Sequence, residues 1–373
     1  MPPIELQSQH PWEITGSVSD KPKVSDYGYL IKDQSIGCSK EDLIKEASRG
    51  PLLRLVWTPE TPEPVRPETV SFLTPAFKKR AVREAWKLLA GGAALLLFGI
   101  VLSFSLDDWK YLYRNLWAVI GGVLLVEGAW GLRRARAFTI EDAQSDASSA
   151  RFASWAENKG IGGYTVLLAA AIVLVGVAQL LAGDSESIQA AGLVKAAVWQ
   201  GQIWRLATAT LMHVNFMHFW MNMLALLALA RIIEQTLHRS WVPLVFLVSA
   251  IGGSLFSLVL YPHTTSVGAS GGILGLLGFL TVAVMRNREK YPPKYLRRLL
   301  EGIAFIGVFG AIGFAMIDNG GHLGGLVAGA ACGWFFLSDK FIEKTKSVLP
   351  QLGGLSLALI AVAAGFAIWQ ILN

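Results

Sequence analysis

Three short polar clusters stand out in a chain that is otherwise strongly apolar. Gly268-Ala269-Ser270-Gly271-Gly272 sets a serine among glycines, and Gly320-Gly321-His322-Leu323-Gly324-Gly325 sets a histidine among them. The third cluster runs from His213 to Asn222 and places His218 and Asn222 four residues apart, on one face of a helix. A serine hydroxyl is a poor nucleophile until a neighbouring base takes its proton. Ser270 is therefore expected as nucleophile and His322 as its general base. Charge developing on an attacked carbonyl oxygen needs preorganised donors. The backbone N–H of Ser270 and the side chains of His218 and Asn222 are expected to supply them. Asp318 and Asn319 lie close to His322 in sequence, but neither is assigned a third catalytic place, so the expectation is a two-member dyad.

Each cluster also has a plainer reading. A serine in a membrane helix usually bonds back to the preceding turn, and small residues at helical spacing let membrane helices approach backbone to backbone. His322, Gly325, Gly329 and Gly333 form one such stripe, and Gly271, Gly275 and Gly278 form another. The two readings coexist, because a contact stripe that carries the histidine is also what brings it to the serine.

These clusters need elements to position them, and composition says in which solvent. Apolar residues make up 53% of 373 positions and charged residues 16%, well below the roughly 25% charged residues of soluble domains; mean hydropathy is +0.45. Stretches of about 17–25 largely apolar residues can span a bilayer. Nine candidates occur, at about 87–105, 116–132, 163–183, 215–236, 241–261, 268–285, 302–317, 321–338 and 352–372. The second is short and carries Glu127, and Asp318-Asn319-Gly320 reads as a tight turn between the seventh and eighth.

The net charge of +6 is spread over alternate loops. Lys78, Lys79, Arg80 and Arg83 precede the first span; Arg133, Arg134 and Arg136 follow the second; Arg231 and Arg239 flank the gap after the fourth. A further group from Arg286 to Arg298 follows the sixth, and Lys340, Lys344 and Lys346 follow the eighth. Positive loops mark the cytoplasmic side, so the N-terminus is expected in the cytoplasm and the three clusters at the outer face. Beside spans, these basic runs read as topology signals and not as a nucleic-acid surface, and no nucleic-acid partner is expected. Cys38 and Cys332 are too differently placed for a disulfide to be expected, and the polar, mixed opening of the chain does not read as a cleavable leader.

The chain divides into five expected parts. Residues 1–80 form a small soluble α+β head, with strands at 27–31 and 52–57, a helix over Lys40–Ala47 and a stiff Pro-rich spacer at 58–67. Residues 83–136 form a transmembrane hairpin whose outer turn is aromatic (Trp109, Tyr111, Tyr113, Trp117), 137–160 a polar cytoplasmic linker, and 161–338 a helical core. Residues 339–373 add a cytoplasmic loop and one more transmembrane helix. No internal repeat of the kind found in many transporters is visible.

At the three clusters the chain resembles the rhomboid family of intramembrane serine proteases. The resemblance rests on Gly268-Ala269-Ser270-Gly271, on His322 through Gly325 to Gly329, on His218 through Asn222, on the Trp204-Arg205 pair and on His213. It covers about 163 to 338. It implies an all-α polytopic fold with a six-helix core, to which this chain adds one C-terminal helix, the N-terminal hairpin and the head. It also implies a Ser270–His322 dyad in a water-filled cavity open to the exterior, with no cofactor and no metal. Substrates would be single-span membrane proteins cut in or near their transmembrane segments, the bilayer would be the solvent, and a bacterial plasma membrane the expected location, with an organelle as the alternative. Trp204, Arg205, Gly268, Gly271, Gly325 and Gly329 would be structural. The alternative is a catalytically inactive rhomboid-like protein that binds helices for membrane quality control; such relatives typically lack the serine or the histidine, and this chain keeps both. A channel or transporter using its histidines as a proton relay would leave the glycine-flanked serine without a role.

Overall fold

A computed structural model describes residues 11–12, 25–31, 34–49, 53, 55–61, 64–105, 116–312, 317–338 and 347–373. The fold is all-α and polytopic, with a small α+β head at the N-terminus. By contact it resolves into two units, Met1–Trp155 with Pro292–Tyr295 and Ala304–Met316, and Ala156–Tyr291 with Leu296–Ile303 and Ile317–Asn373.

The first unit begins with a three-stranded antiparallel sheet of order β2-β1-β3, from β1 (Tyr27–Ile31), β2 (Gln34–Cys38) and β3 (Leu55–Trp57). The edge strand β2 escapes the sequence reading because its Gln-Ser-Ile-Gly-Cys run lacks the apolar alternation that marks a strand. Helix α1 (Lys40–Arg49) places Leu43 and Ala47 in a core with Tyr29, Val56 and Leu73. Leu52 and Arg54 of the strand expected at 52–57 lie outside the described residues. The Pro-rich stretch does more than space: Val65 and Val56 exchange backbone hydrogen bonds of 2.8 and 2.7 Å, folding the stretch back onto β3.

Helix α2 (Thr74–Ser105) then pairs along its length with α3 (Leu116–Arg136). A Cβ on Gly99 would lie 2.9 Å from Ala118 Cα, so these backbones meet where only small residues fit. Of the expected aromatic turn, Trp117 is described and packs edge-on against Phe98, whereas Trp109, Tyr111 and Tyr113 lie outside the described residues. The stretch expected as a linker is a helix, α4 (Ile140–Asn158). Polar composition conceals it, but its start is a reciprocal cap: Thr139 N donates to Asp142 Oδ2 at 3.0 Å and Asp142 N to Thr139 Oγ1 at 3.3 Å. Arg151 pairs with Glu68 at 2.7 Å and Lys294 with Asp142 at 2.8 Å.

The second unit holds α5 (Gly163–Ala182), then a compact loop assembly of α6 (Asp184–Ala191), β4 (Leu193–Val194), α7 (Lys195–Trp199) and α8 (Arg205–Thr208). Helices α9 (Phe216–Thr236), α10 (Trp241–Leu260), α11 (Ser270–Arg286), α13 (Asn319–Phe336) and α14 (Leu349–Leu372) follow. A short strand β5 (Thr265–Ser266) precedes α11, and α12 (Tyr295–Ile312) comes after α11 in the chain, its residues divided between the two units. Among the described residues, every one of the nine expected spans coincides with a helix. Five are long and apolar enough by themselves to cross a membrane, and α11 is a shorter apolar helix. Residues 313–316 and 339–346, the latter holding Lys340, Lys344 and Lys346, lie outside the described set.

Helix α11 is the centre of this unit. It carries no charge before Arg286 and is buried almost throughout between α10 and α13, with α9 alongside. The glycine stripes interlock: Gly325 and Gly329 of α13 sit directly on the backbone of Gly271 and Gly275 of α11, and Gly278 sits on Leu326. Lipid removes the hydrophobic drive between helices, so this close van der Waals approach is what holds the pair. Helix α14 closes over α5 and α10.

Candidate active site

The central helix begins at Ser270 because of the residues before it. Gly268 has φ of +141°, a conformation that L side chains rarely adopt. A Cβ there would also lie 2.8 Å from His218 Cε1, so glycine is required twice over. Gly268 N donates to Ala209 O at 3.0 Å, and β5 pairs with β4 through Leu193↔Ser266 and Val194↔Thr265. The approach to the serine is thus tied to the loop assembly after α5. The first intrahelical bond of α11 is made by Ile273 N to Ala269 O, 3.0 Å. The N–H groups of Ser270, Gly271 and Gly272 stand before it, the orphan donors of a helix start.

His322 lies in the first turn of α13. Asp318 caps that helix, its side chain accepting from Gly321 N at 2.8 Å while its carbonyl accepts from His322 N at 3.0 Å. The glycine contact between α11 and α13 then brings the two helix starts together. His322 Nε2 and Ser270 Oγ are 2.8 Å apart, within hydrogen-bond distance for a proton transfer. Both side chains are partly buried, and both line a cavity of about 40 Å³, room for a few water molecules.

Asn215 caps α9, accepting from His218 N at 2.9 Å. The His218 ring lies against Gly268, beside the serine. Asn222 is buried and donates one Nδ2–H to His218 O at 2.8 Å, which leaves its second amide hydrogen for another acceptor. His213 is held differently. Its backbone N–H and C=O are both matched by the Gln179 amide at 2.9 Å, and its ring, buried with neither nitrogen bonded to a partner, meets the His218 ring edge-on at 5.1 Å. Burial, reinforced by His218, pushes the His213 imidazole down to about 3, so it stays neutral.

Arg205 is buried in the loop assembly, its guanidinium donating to Gly192 O at 2.7 Å, Gln189 O at 3.1 Å and Gln202 Oε1 at 2.7 Å. It also covers the Trp204 ring at 4.6 Å. These are the bonds of a loop brace. Sequence reasoning missed Gln179, which clamps His213, and the role of Asp318, which it noted beside His322 and which caps the histidine's helix. An Asp three residues before the Gly321 N–H is a recognisable cap pattern, but a lone Gln in an apolar span signals only that a partner exists.

A bundle of membrane helices with a serine and a histidine meeting at two helix starts defines a polytopic membrane protein with a Ser–His pair, and comparison gives its lineage. Residues 200–339 match the Rhomboid domain model. The chain is 33% identical over 160 residues to RHOMBOID-like protein 6, mitochondrial, of Arabidopsis thaliana, covering 42% of this chain and 52% of that one. It is 34% identical over 176 residues to Rhomboid protease GluP of Bacillus subtilis, covering 45% and 32%. A third relative, the Putative rhomboid protease YdcA of Bacillus subtilis, is 31% identical over 148 residues, covering 39% and 71%. The chain thus spans about half of the first of these relatives, a third of the second and over two thirds of the third. It belongs to the rhomboid family and is an integral, multi-pass membrane protein.

Proposed function

We propose that this protein is an intramembrane serine endopeptidase that hydrolyses peptide bonds in or near the transmembrane segments of single-span membrane proteins. The observation that carries the reading is the 2.8 Å separation of Ser270 Oγ and His322 Nε2. With its proton on Nδ1, His322 accepts the serine proton at Nε2 as Oγ attacks the scissile carbonyl carbon. The oxyanion is held by the Ser270 N–H, the second Nδ2–H of Asn222 and the His218 side chain. The imidazolium returns its proton to the departing amine, leaving an acyl-serine. A water molecule in the cavity, deprotonated by the same nitrogen, attacks that ester and releases the carboxylic acid, and the serine recovers its proton. Trp204, Arg205, Gly268, Gly271, Gly325 and Gly329 hold the frame.

The alternation of basic loops supports a cytoplasmic N-terminus with its 1–80 head and a site opening to the exterior face; a bacterial plasma membrane as the location and the 83–136 hairpin as an accessory to the 161–338 core are part of the same proposal. The test is cleavage of a co-expressed single-span reporter, together with labelling of the purified protein by a fluorophosphonate. Wild type should cut and label; Ser270→Ala should do neither and His322→Ala should be reduced to background, both with unchanged elution in detergent. Cleavage by purified Ser270→Ala would defeat the proposal. A wild type that stays inert where an active relative reacts would favour the helix-binding alternative.

A further inference from the structure

Lys195 is 1% exposed, a rare placement for a lysine, and lies on α7 outside the membrane helices. Its Nζ donates to Thr264 Oγ1 at 2.9 Å and to Ser266 Oγ at 2.5 Å. Ser266 Oγ is 3.4 Å from Ser257 Oγ, and Ser257, fully buried on α10, donates a hydrogen bond to Asp318 Oδ2. The other Asp318 oxygen is the one that caps α13. A continuous polar chain therefore runs Lys195–Ser266–Ser257–Asp318, with a cation at one end and a carboxylate at the other.

Its placement relative to the reacting pair is systematic. Ser266 stands four residues before Ser270 and Asp318 four residues before His322, so the chain ties the strand that delivers the nucleophile to the cap of the helix that delivers the base. Ser266, Asp318, Ser270 and His322 all line the same small cavity. Burying a lysine and an aspartate is costly compared with burying apolar residues of like volume. Holding two helix starts in register is a function that apolar packing serves less well, because a hydrogen-bonded chain has one geometry and a greasy contact has many. Burial pushes the Lys195 ammonium below its ordinary value, and the negative charge of Asp318 pulls it back up.

We propose that Lys195, Ser266, Ser257 and Asp318 are positioning residues for the reaction, a charge-terminated hydrogen-bonded chain that sets the separation of Ser270 and His322. The inference rests on the reading of those two as a dyad. In this role none of the four needs to touch substrate; each acts through the dyad's geometry.

The test uses the full-length protein in detergent, measuring the rate of fluorophosphonate labelling at Ser270, reporter kcat and KM, and the thermal midpoint. Lys195→Met and Ser257→Ala should each slow labelling by about ten- to a hundredfold, the scale of a lost hydrogen bond to a charged group. The loss should fall on kcat, with KM within about twofold, because an interaction made to the catalytic geometry and not to the substrate leaves binding alone. The double variant should be no slower than the slower single variant, since either change severs the same chain. Wild-type rates in both single variants overturn the proposal, as do losses that multiply in the double variant. If Lys195→Met does not elute as folded protein, Ser257→Ala combined with Asp318→Asn completes the same cycle. A wild type that neither labels nor cleaves defeats the dyad reading and this proposal with it, whereas an active wild type with indifferent variants defeats this proposal alone.

Discussion

Substituting Gly325 by alanine tests whether the glycine contact sets the chemistry or only the packing. A Cβ at Gly325 would lie 2.8 Å from Gly271 Cα and closer still to the Gly271 carbonyl. Carbon atoms rest at about 3.5–4.0 Å, so α11 and α13 must part by about 1 Å at this level. Gly271 follows Ser270 directly, and Gly325 is one turn after His322, so the whole displacement is felt at the dyad. The 2.8 Å Ser270–His322 contact then exceeds the ~3.2 Å reach of a productive hydrogen bond. A misplacement of about 1 Å costs on the order of a hundredfold in rate, while overpacking of this size costs about 1–3 kcal/mol of stability. Labelling by a fluorophosphonate should therefore fall about a hundredfold in a protein that still elutes as a folded species with a modestly lowered thermal midpoint. Gly365→Ala on α14 is the control, because a Cβ there meets nothing within 4 Å, and it should label at the wild-type rate. Full labelling of folded Gly325→Ala would refute the argument that backbone contact fixes the dyad.

Two further outcomes follow from the same site. Asn222→Ala should lower reporter kcat by less than the ~100–1,000-fold seen when a principal oxyanion donor is lost, because the Ser270 N–H and His218 share the charge; kinetics at saturating substrate decide it. The buried His213 ring adds a pH dependence whose sign is fixed by its value of about 3, against about 6.5 unfolded. As pH falls from about 6.5 toward 3, the unfolded chain takes up a proton that the folded one refuses, so stability is lost at about 1.4 kcal/mol per pH unit, on the order of 2 kcal/mol by pH 5. The gap between wild-type and His213→Leu thermal midpoints should narrow or invert between pH 7.5 and 5; a constant gap would contradict the buried neutral ring.

Much of this protein is legible without coordinates, for reasons particular to its solvent. A bilayer demands long apolar helices, so each of the nine apolar runs could be read as a helix, five of them long and apolar enough to cross a membrane, and alternate basic loops gave a topology to propose. The candidate chemistry was readable as residue types: Ser270 and His322 stand in glycine stripes whose spacing marks helix contact, and they are the types a nucleophile and its base require. Local patterns were harder where composition misleads. The 137–160 stretch reads as a polar linker, yet the Thr139–Asp142 cap starts a helix there, and β2 lacks the alternation that betrays a strand.

What the tertiary structure alone decided is which polar groups meet. Residue spacing along one helix tells which side chains share its face, but says nothing about which face of a distant helix lies opposite. Ser270 and His322 are 52 residues apart, Gln179 and His213 are 34, and Ser257 and Asp318 are 61. Lys195 in sequence is a solitary cation beside an apolar run; only packing reveals that it is buried and bonded to Thr264 and Ser266. The sequence determined the membrane solvent, the helices and the residue types able to react. The interlocked glycine backbones of α11 and α13 decided how closely those two helices approach, because close approach in lipid depends on shape matching between two surfaces, a property that neither surface carries by itself.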